Sequence, residues 1–185
     1  MTTRQIDRSA LVRRAMIEVV ADRGLYGASM SLVAKQAGVA TGTAYVHYDS
    51  KEQLLVAAFV EVKKKLAEAG LRDVDVSADP REVFGTIWRN CHGHLSADPP
   101  TAHFLLQVEA SPLRKTMHEA LSDDDPLRQA AQVLSGVLVN LPLDVLYDLS
   151  LGTAVRLAAS GEKLEPEALE LLIEACWRAV HRVQE

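Results

Sequence analysis

Apolar residues recur at three- and four-residue spacing over most of the chain, which predicts amphipathic α-helices. The first helix is predicted from about Arg8 to Asp22, with Gly24 ending it. Its inward face comprises Leu11, Val12, Ala15, Met16, Val19 and Val20. Short alternating Val, Ile and Thr runs bounded by turns are missing, so we expect an all-α fold of about nine helices.

Capping residues divide the next segment into three helices. Ser29 caps a second helix that stops at Gly38, and a short third helix is predicted from about Thr41 to His47. Ser50 caps the fourth helix, and Gln53 three residues later completes a capping box. These helices predict a compact head that leads directly into a longer connecting helix.

The fourth helix has one apolar and one charged face over about residues 50–70. The apolar face comprises Leu54, Leu55, Ala58, Phe59, Val62 and Leu66, and the outer face carries Lys63, Lys64 and Lys65. Residues 71–79 follow as a linker. We therefore expect a head of residues 1–50, this connecting helix, and a body of residues 71–185.

Proline marks the helix starts of the body, because its missing N–H is not needed in a first helical turn. Six starts are predicted, at Pro80, Pro99, Pro112, Pro126, Pro142 and Pro166. The acidic run 123–125 is interpreted as a loop ending in a cap, not as a metal site. Of the last two helices, one is predicted from about Pro142 to Ser160.

The third helix is the polar exception in this apolar pattern. Together with the second helix and the turn at Gly38 it forms a helix-turn-helix, whose second helix lies in the DNA major groove. Thr41 and Thr43 are short, hydrogen-bond in either direction and pack a methyl group against thymine. Gly42 lets the backbone approach the bases. The alternative is that the two threonines only cap the helix.

Three further side chains near this helix suit phosphate binding, which fixes the register of a protein on DNA. They are Tyr45, His47 and Lys51. The alternatives are a half-buried tyrosine and ordinary surface cations. Charge agrees with a polyanion partner: residues 1–50 carry six Lys and Arg against four acids, and the remainder carries 14 against 21.

The motif resembles the tetracycline-repressor (TetR) family. The matching positions run over about residues 8–60 and comprise Gly24, Ser29, Val33, Ala34, 37–45, Tyr48, 50–52 and Leu54. The resemblance implies a homodimer with two DNA-binding heads, a ligand pocket in the body, and pairing of the last two helices between subunits. It also implies that Ser31, Thr41, Thr43, Tyr45, His47 and Lys51 contact DNA.

Four positions depart from the family pattern. Ala40 stands for the usual Ser and Tyr48 for Phe. Ala44 stands for a larger aliphatic residue, so we expect Ala44 to leave the third helix more loosely held. Leu32 stands where a polar residue is common and is either an apolar DNA contact or a scattered surface leucine. These departures leave the base sequence of the operator open.

The body offers candidates for a mostly apolar ligand pocket between helices. They are Phe84, Trp88, His92, Phe104 and Gln107, although such aromatic stripes also fill cores. The predicted dimer interface comprises Gly152, Val155, Ala159, Leu169, Leu172, Ile173, Cys176, Trp177 and Val180. A terminal helix that is apolar on more than one face favours a partner subunit.

Catalytic, metal and membrane roles are not predicted. His92 and His94 point to nearly opposite sides of a helix, and Cys91 has no orienting group for a Cys–His pair. Cys176 stands alone, so both thiols are interpreted as buried in a reducing cytoplasm. No run approaches the roughly 18 apolar residues of a membrane helix. We expect a cytoplasmic protein without cofactor.

These features predict a transcriptional repressor that binds a palindromic operator as a homodimer and is released by a small, largely apolar effector. A second hypothesis keeps the DNA-binding head but has it regulated by a partner protein, or without any ligand. A third is a helical enzyme using Cys91 or His92, which leaves the polar third helix unexplained.

Overall fold

The computed structural model describes residues 7–121 and 134–182, and the regular elements of these residues are helices, as the sequence predicts, apart from one isolated β-bridge between Leu138 and His181. The ten α-helices of the described residues are α1 (Arg8–Gly27), α2 (Met30–Gln36), α3 (Thr41–His47), α4 (Lys51–Gly70), α5 (Pro80–Ser96), α6 (Pro99–Glu109), α7 (Arg114–Glu119), α8 (Leu143–Leu149), α9 (Leu151–Ser160) and α10 (Pro166–Val180). One 3₁₀ turn, Leu134–Gly136, precedes α8.

The first helix begins at the predicted residue and is interrupted at Gly24. Asp7 caps α1 by accepting hydrogen bonds from the backbone N–H groups of Ser9 and Ala10. Gly24 interrupts the helix with non-helical φ 73° and ψ 168°, as predicted, and a short second helical turn follows it to Gly27. A positive φ is accessible to glycine at little cost, so this residue separates the two helical parts of α1.

The head and the body share one main hydrophobic core. The first three helices and the start of α4 pack together, and α1 also lies along α6, so head helices contact the body directly. Phe59 of α4, Met16 of α1 and Phe104 of α6 are all fully buried in this core. A second cluster contains Phe84 and Trp88 of α5 together with apolar residues of α9 and α10.

One lysine of α4 lies on the wrong side of the predicted helix face. Lys64 and Lys65 are exposed, but Lys63 is only 5% exposed. The prediction of an outward Lys63 is therefore wrong. Its neighbour Val62 is also buried, so this turn of α4 is covered on two sides, by α5 and by α7.

The prolines mark most but not all of the predicted starts. Pro80, Pro99 and Pro166 each occupy the first turn of a helix. Pro112 instead precedes α7, which begins two residues later, and Pro142 is the N-cap residue of α8. Pro126 and the acidic run 123–125 lie outside the described residues.

The predicted helix from Pro142 to Ser160 is two helices. Ser150 breaks it with φ −124° and ψ −96°. Its carbonyl accepts a hydrogen bond from the Trp88 indole N–H at 3.2 Å and from the Thr153 backbone N–H at 3.1 Å. Trp88, which is distant in sequence, therefore donates a hydrogen bond to a backbone carbonyl at the break between the two helices. Helical periodicity does not reveal this contact.

Within residues 7–121 and 134–182, no helix is long and apolar enough to cross a membrane. The same ranges bring together no group of three or more His, Cys, Asp or Glu side chains suited to a metal ion.

Candidate nucleic-acid interface

A glycine turn sets the angle between α2 and α3. Gly38 has φ 68°, a left-handed conformation that side chains with a Cβ rarely adopt. Its backbone N–H donates to the Lys35 carbonyl at 3.2 Å, and the N–H of Val39 donates to the Ala34 carbonyl at 3.0 Å. These bonds close the end of α2 and let α3 start in a new direction.

Two residues fasten α3 to the rest of the head. Ala44 is fully buried, and Tyr48, the residue that ends the helix, is only 8% exposed. The Tyr48 hydroxyl accepts a hydrogen bond from Arg13 of α1 at 2.7 Å. The tyrosine that departs from the family pattern thus adds a polar contact at the end of α3.

The rest of α3 faces outward. Thr41, Gly42 and His47 are exposed, Tyr45 is 52% exposed and Thr43 is half-buried. Ala40 is the N-cap residue of α3, and no side chain caps the helix by a hydrogen bond. The alternative that the threonines serve as caps therefore has no support from the geometry.

Val46 is a candidate that the sequence analysis missed. Its side chain is 81% exposed, and it lies one helical turn after Gly42 on the same face of α3. An apolar side chain this exposed in the middle of a polar helix suits contact with a thymine methyl group. The sequence does contain a signal for Val46, because it follows Tyr45 directly and lies on the side of α3 opposite Ala44.

The flanks of α3 carry the other predicted contacts. Ser31 is exposed on the first turn of α2, with its hydroxyl 3.1 Å from that of the capping Ser29. Lys51 is half-buried, and its ammonium group lies 3.5 Å from the Leu25 carbonyl. Leu32 is half-buried and packs against the main core, so it is not a free surface leucine.

The capping box at the start of α4 is confirmed. The Ser50 hydroxyl accepts a hydrogen bond from the Gln53 backbone N–H at 3.1 Å, and the Gln53 side-chain oxygen accepts one from the Asp49 N–H at 2.6 Å. The first turn of α4 is therefore fixed beside the C-terminal end of α3.

The guanidinium of Arg13 forms hydrogen bonds within the protein. It donates to the Glu61 carboxylate of α4 and to the hydroxyls of Tyr48 and Ser9. Burial opposes its charge, but the bonds to Glu61 and Tyr48 more than offset that effect and raise the pKa of Arg13. The number of Lys and Arg residues in the head is therefore larger than the number of cationic side chains that are available to bind phosphates.

Arg14 joins the head to the body. Its guanidinium donates to both oxygens of Asp98, the N-cap residue of α6, at 2.5 and 3.0 Å, and to Glu18 of α1 at 2.8 Å. Glu18 in turn accepts from Gln36 of α2 at 2.7 Å. The bond to Arg14 is the main reason that the pKa of Asp98 is lowered. A polar chain thus runs from α2 through α1 to α6.

The predicted pocket residues separate into groups. Phe84 and Trp88 lie in the second core cluster, and His92 stacks on Trp88 with ring centroids 5.3 Å apart. Burial lowers the pKa of His92. Phe104 is buried in the main core, and Gln107 is exposed beside the α1 kink. The structure brings the first three together and not the other two, and their role in ligand binding stays a prediction.

Most of the predicted interface residues already have partners within the subunit. Those buried are Val155, Ala159, Ile173, Cys176, Trp177 and Val180, and those half-buried are Gly152, Leu169 and Leu172. The exposed face of α10 carries Ala168, Leu171, Ala175 and Ala179 instead, with Leu171 72% exposed. We call this face the α10 stripe. The apolar residues of α10 thus divide between an inner and an outer face.

Comparison with known proteins agrees with this architecture. The family described as "Bacterial regulatory proteins, tetR family" matches residues 12–58, and a family described as "Tetracyclin repressor-like, C-terminal domain" matches residues 81–181. The two matches together cover the head and most of the body.

Individual relatives carry regulator names. An uncharacterized HTH-type transcriptional regulator of Haemophilus influenzae is 30% identical over 98% of this chain and 100% of its own length. A crystal structure of a TetR-family transcriptional regulator from the same organism superposes with a TM-score of 0.75, at 30% identity and over 98% and 100% of the two chains. The fatty acid metabolism regulator protein of Bacillus subtilis is 30% identical over 67% of this chain and 62% of its own length. With both family matches and a full-length relative in agreement, the chain belongs to the TetR family of transcriptional regulators.

Proposed function

We propose that this regulator is a repressor that binds a palindromic operator as a homodimer and is released by a small, largely apolar effector. The observation that carries the proposal is the outward face of α3, where polar and apolar side chains are exposed on a helix fastened from behind by Ala44 and Tyr48. Such a helix is shaped for the major groove and has no packing role on that face.

The face of α3 divides into base and phosphate contacts. Thr41, Gly42, Thr43 and Val46 are short enough to bring the helix close to base edges, where threonine hydroxyls and apolar methyl groups distinguish bases. Tyr45 and His47 reach sideways to phosphates, which position the helix without reading sequence.

Ser31 and Lys51 provide phosphate contacts on either side of α3. Lys51 stands at the N-terminus of α4, where the helix dipole disfavours a cation. A phosphate bound there would offset that unfavourable interaction. Its negative charge pairs with the lysine, and its oxygens accept hydrogen bonds from the free N–H groups of the first turn of α4.

The α10 stripe supports a two-fold dimer. Its alanines let a second helix approach closely, and Leu171 is too exposed to be stabilised within one subunit. A dimer with a two-fold axis matches a palindromic operator, whose half-sites lie about 34–36 Å apart. The half-buried Leu169 and Leu172 border the stripe and would complete the interface.

Two connections allow an effector in the body to change the spacing of the heads. One is α4, which begins shortly after α3 in the chain and packs against α1, α5 and α7, and the other is the bond from Arg14 to Asp98. An effector that binds better to one head spacing shifts the population toward it. The name of the Bacillus subtilis relative favours a largely apolar effector for this protein as well.

The test is selection of bound fragments from genomic DNA, followed by binding of the selected site to wild-type protein and to a Thr43→Ala, Lys51→Ala double variant. We expect a palindromic site, two chains per site by native mass spectrometry, and at least about 100-fold weaker binding by the double variant, because one base contact and one phosphate contact are lost.

The control is a Thr116→Ala, Lys64→Ala double variant, which removes the same residue types from exposed positions outside the head. It should bind the selected site like the wild type. Undiminished binding by the Thr43→Ala, Lys51→Ala variant, or a selected site without two-fold symmetry, would contradict the proposal.

A further inference from the structure

A buried group of polar side chains lies where α4, α6, α7 and α8 meet. It consists of Lys63 from α4, Glu109 from α6, Arg114 and His118 from α7, and Tyr147 from α8, and we call it the body cluster. The side chains of Lys63 and Glu109 are only 6% and 9% exposed. None of the five is among the residues that the sequence suggested for ligand binding.

The carboxylate of Glu109 is the centre of the cluster. His118 Nε2 lies 3.0 Å from both of its oxygens, Arg114 Nε lies 3.2 Å from one, and Lys63 Nζ lies 3.9 Å from the other. A carboxylate only accepts hydrogen bonds, so His118 approaches it as a donor, whereas Arg114 Nε and Lys63 contact it as cations. The Glu109 carboxylate is thus surrounded by positive or donating groups on three sides.

Two donors are left over. The Tyr147 hydroxyl and Arg114 Nε are both buried beside the Glu109 carboxylate, and neither has good hydrogen-bond geometry with it or with any other described residue. The other Arg114 nitrogens are engaged by the Asp148 carboxylate at 3.0 Å. Burial raises the pKa of Tyr147 well above its ordinary value, and the neighbouring Glu109 carboxylate raises it further, so the hydroxyl keeps its proton. A buried donor without an acceptor is costly to leave in place.

We propose that the body cluster binds the carboxylate of a small apolar acid, with Tyr147 and Arg114 as the hydrogen-bond donors. A group that only accepts hydrogen bonds satisfies both donors at once. A primary amide of the same shape brings N–H groups that face donors on several sides, so the cluster discriminates against it.

The charges permit a second carboxylate beside Glu109. Two cations, Lys63 and Arg114, already face the Glu109 carboxylate, and the Asp148 carboxylate that pairs with Arg114 is 56% exposed and therefore screened by water. Aromatic rings line the same place, since Lys63 Nζ lies 4.6 Å from the centre of the Tyr147 ring. The ligand would thus have an apolar body and an acidic end.

The gradient of exposure indicates the side of entry. Arg114 and His118 are 24% and 29% exposed at the outer edge of the cluster, whereas Lys63 and Glu109 lie behind them. An acid that enters from α7 meets Arg114 first and reaches toward α4. This inference rests on the proposed function, because it identifies the class of effector that would act on the connecting helix.

The test uses purified full-length protein and a panel of apolar carboxylates from benzoate to palmitate, each paired with its primary amide and kept below its micelle concentration. We expect at least one acid to raise the unfolding midpoint and to bind in calorimetry, while its amide does not. If no acid stabilises the protein more than its amide, the proposal is overturned.

Tyr147→Phe separates a binding role from a structural one. Removing a buried hydroxyl without an acceptor should leave the ligand-free protein as stable as the wild type or slightly more stable. The same change should weaken binding of the acid about tenfold, because one hydrogen bond to a charged group is lost. Tyr26→Phe, at an 88% exposed tyrosine of the head, should change neither quantity. Full affinity for the acid in Tyr147→Phe would refute the assignment.

Operator binding is measured in parallel, which separates the two proposals. Acid binding that Tyr147→Phe weakens, in a protein that selects no DNA site, supports the body cluster and contradicts the repressor. Tight operator binding without a response to any acid contradicts the body cluster and leaves the repressor intact.

Discussion

The polar residues of α3 and those of the body cluster have opposite environments. The outward side chains of α3 make few contacts within the protein, and Val46 and Tyr45 are 81% and 52% exposed. The body cluster places Lys63 and Glu109 almost out of contact with solvent. Polar groups on α3 therefore depend on water or a partner for their hydrogen bonds, whereas the charged groups Lys63 and Glu109 depend on neighbouring charged groups of the cluster.

This difference decides how each region responds to substitution. A change on the outer face of α3 removes nothing that the folded subunit needs, so its effect should appear in DNA binding. A change to a charged residue of the cluster leaves its buried partner without a counter-charge, so its effect should appear first in stability. Variants that give the opposite result would break this distinction.

The largest expected effect is that of Glu109→Gln. We expect the free energy of unfolding to fall by about 3 kcal/mol at pH 7, because Lys63 and Arg114 lose the carboxylate between them in a buried place. The measurement is urea denaturation, with Glu170→Gln as control. Glu170 pairs with Arg89 on the surface, so its loss should cost less than about 1 kcal/mol.

The stability that Glu109 contributes depends on pH in a defined direction. Burial alone would raise the pKa of Glu109, but the hydrogen bond from His118 and the charges of Lys63 and Arg114 lower it below the ordinary value of 4.5. The stability that the carboxylate contributes is thus complete above pH 4.5 and is lost as the pH falls through the lowered pKa. The wild type should lose more stability than Glu109→Gln on acidification below pH 4.5, and equal losses would contradict this account.

The two regions also differ in how well the sequence predicts them. The bounds of α3 and the box formed by Ser50 and Gln53 agree with the prediction, because capping and turn chemistry act within a few residues. The body cluster combines residues up to 84 positions apart, from Lys63 to Tyr147, and no local pattern joins them. Lys63 was assigned to the outer face because periodicity gives one buried side, whereas α4 is covered on two.

The second prediction compares two neighbours on α3 with opposite burial. Ala44→Leu should lower the free energy of unfolding by about 2 kcal/mol, because extra volume is forced into a filled site. Val46→Ala should leave stability unchanged and weaken binding to the selected operator about tenfold, because two methyl groups lose their apolar contact. Thermal unfolding and fluorescence anisotropy measure the two quantities.

A stabilising Ala44→Leu would show that α3 is loosely packed, as the departure from the family pattern suggested. Unchanged operator binding by Val46→Ala would remove Val46 from the interface and return base reading to the threonines.

The smallest effect is expected for Lys51→Ala. One lost phosphate contact should reduce the slope of the logarithm of the binding constant against the logarithm of salt concentration by about 0.9. Lys64→Ala, which removes an exposed lysine from the outer face of α4, should leave the slope unchanged. Equal slopes for Lys51→Ala and the wild type would mean that Lys51 bonds only to the Leu25 carbonyl.

The bond between Arg14 and Asp98 affects the number of phosphate contacts that is calculated from a salt slope. Its side chains are 43% and 34% exposed, so added salt screens this bond while it also competes with DNA. The absolute salt slope of the wild type then contains a contribution from looser attachment of the head, and dividing it by 0.9 would miscount the phosphates. The difference between two variants that both retain Arg14 cancels that contribution.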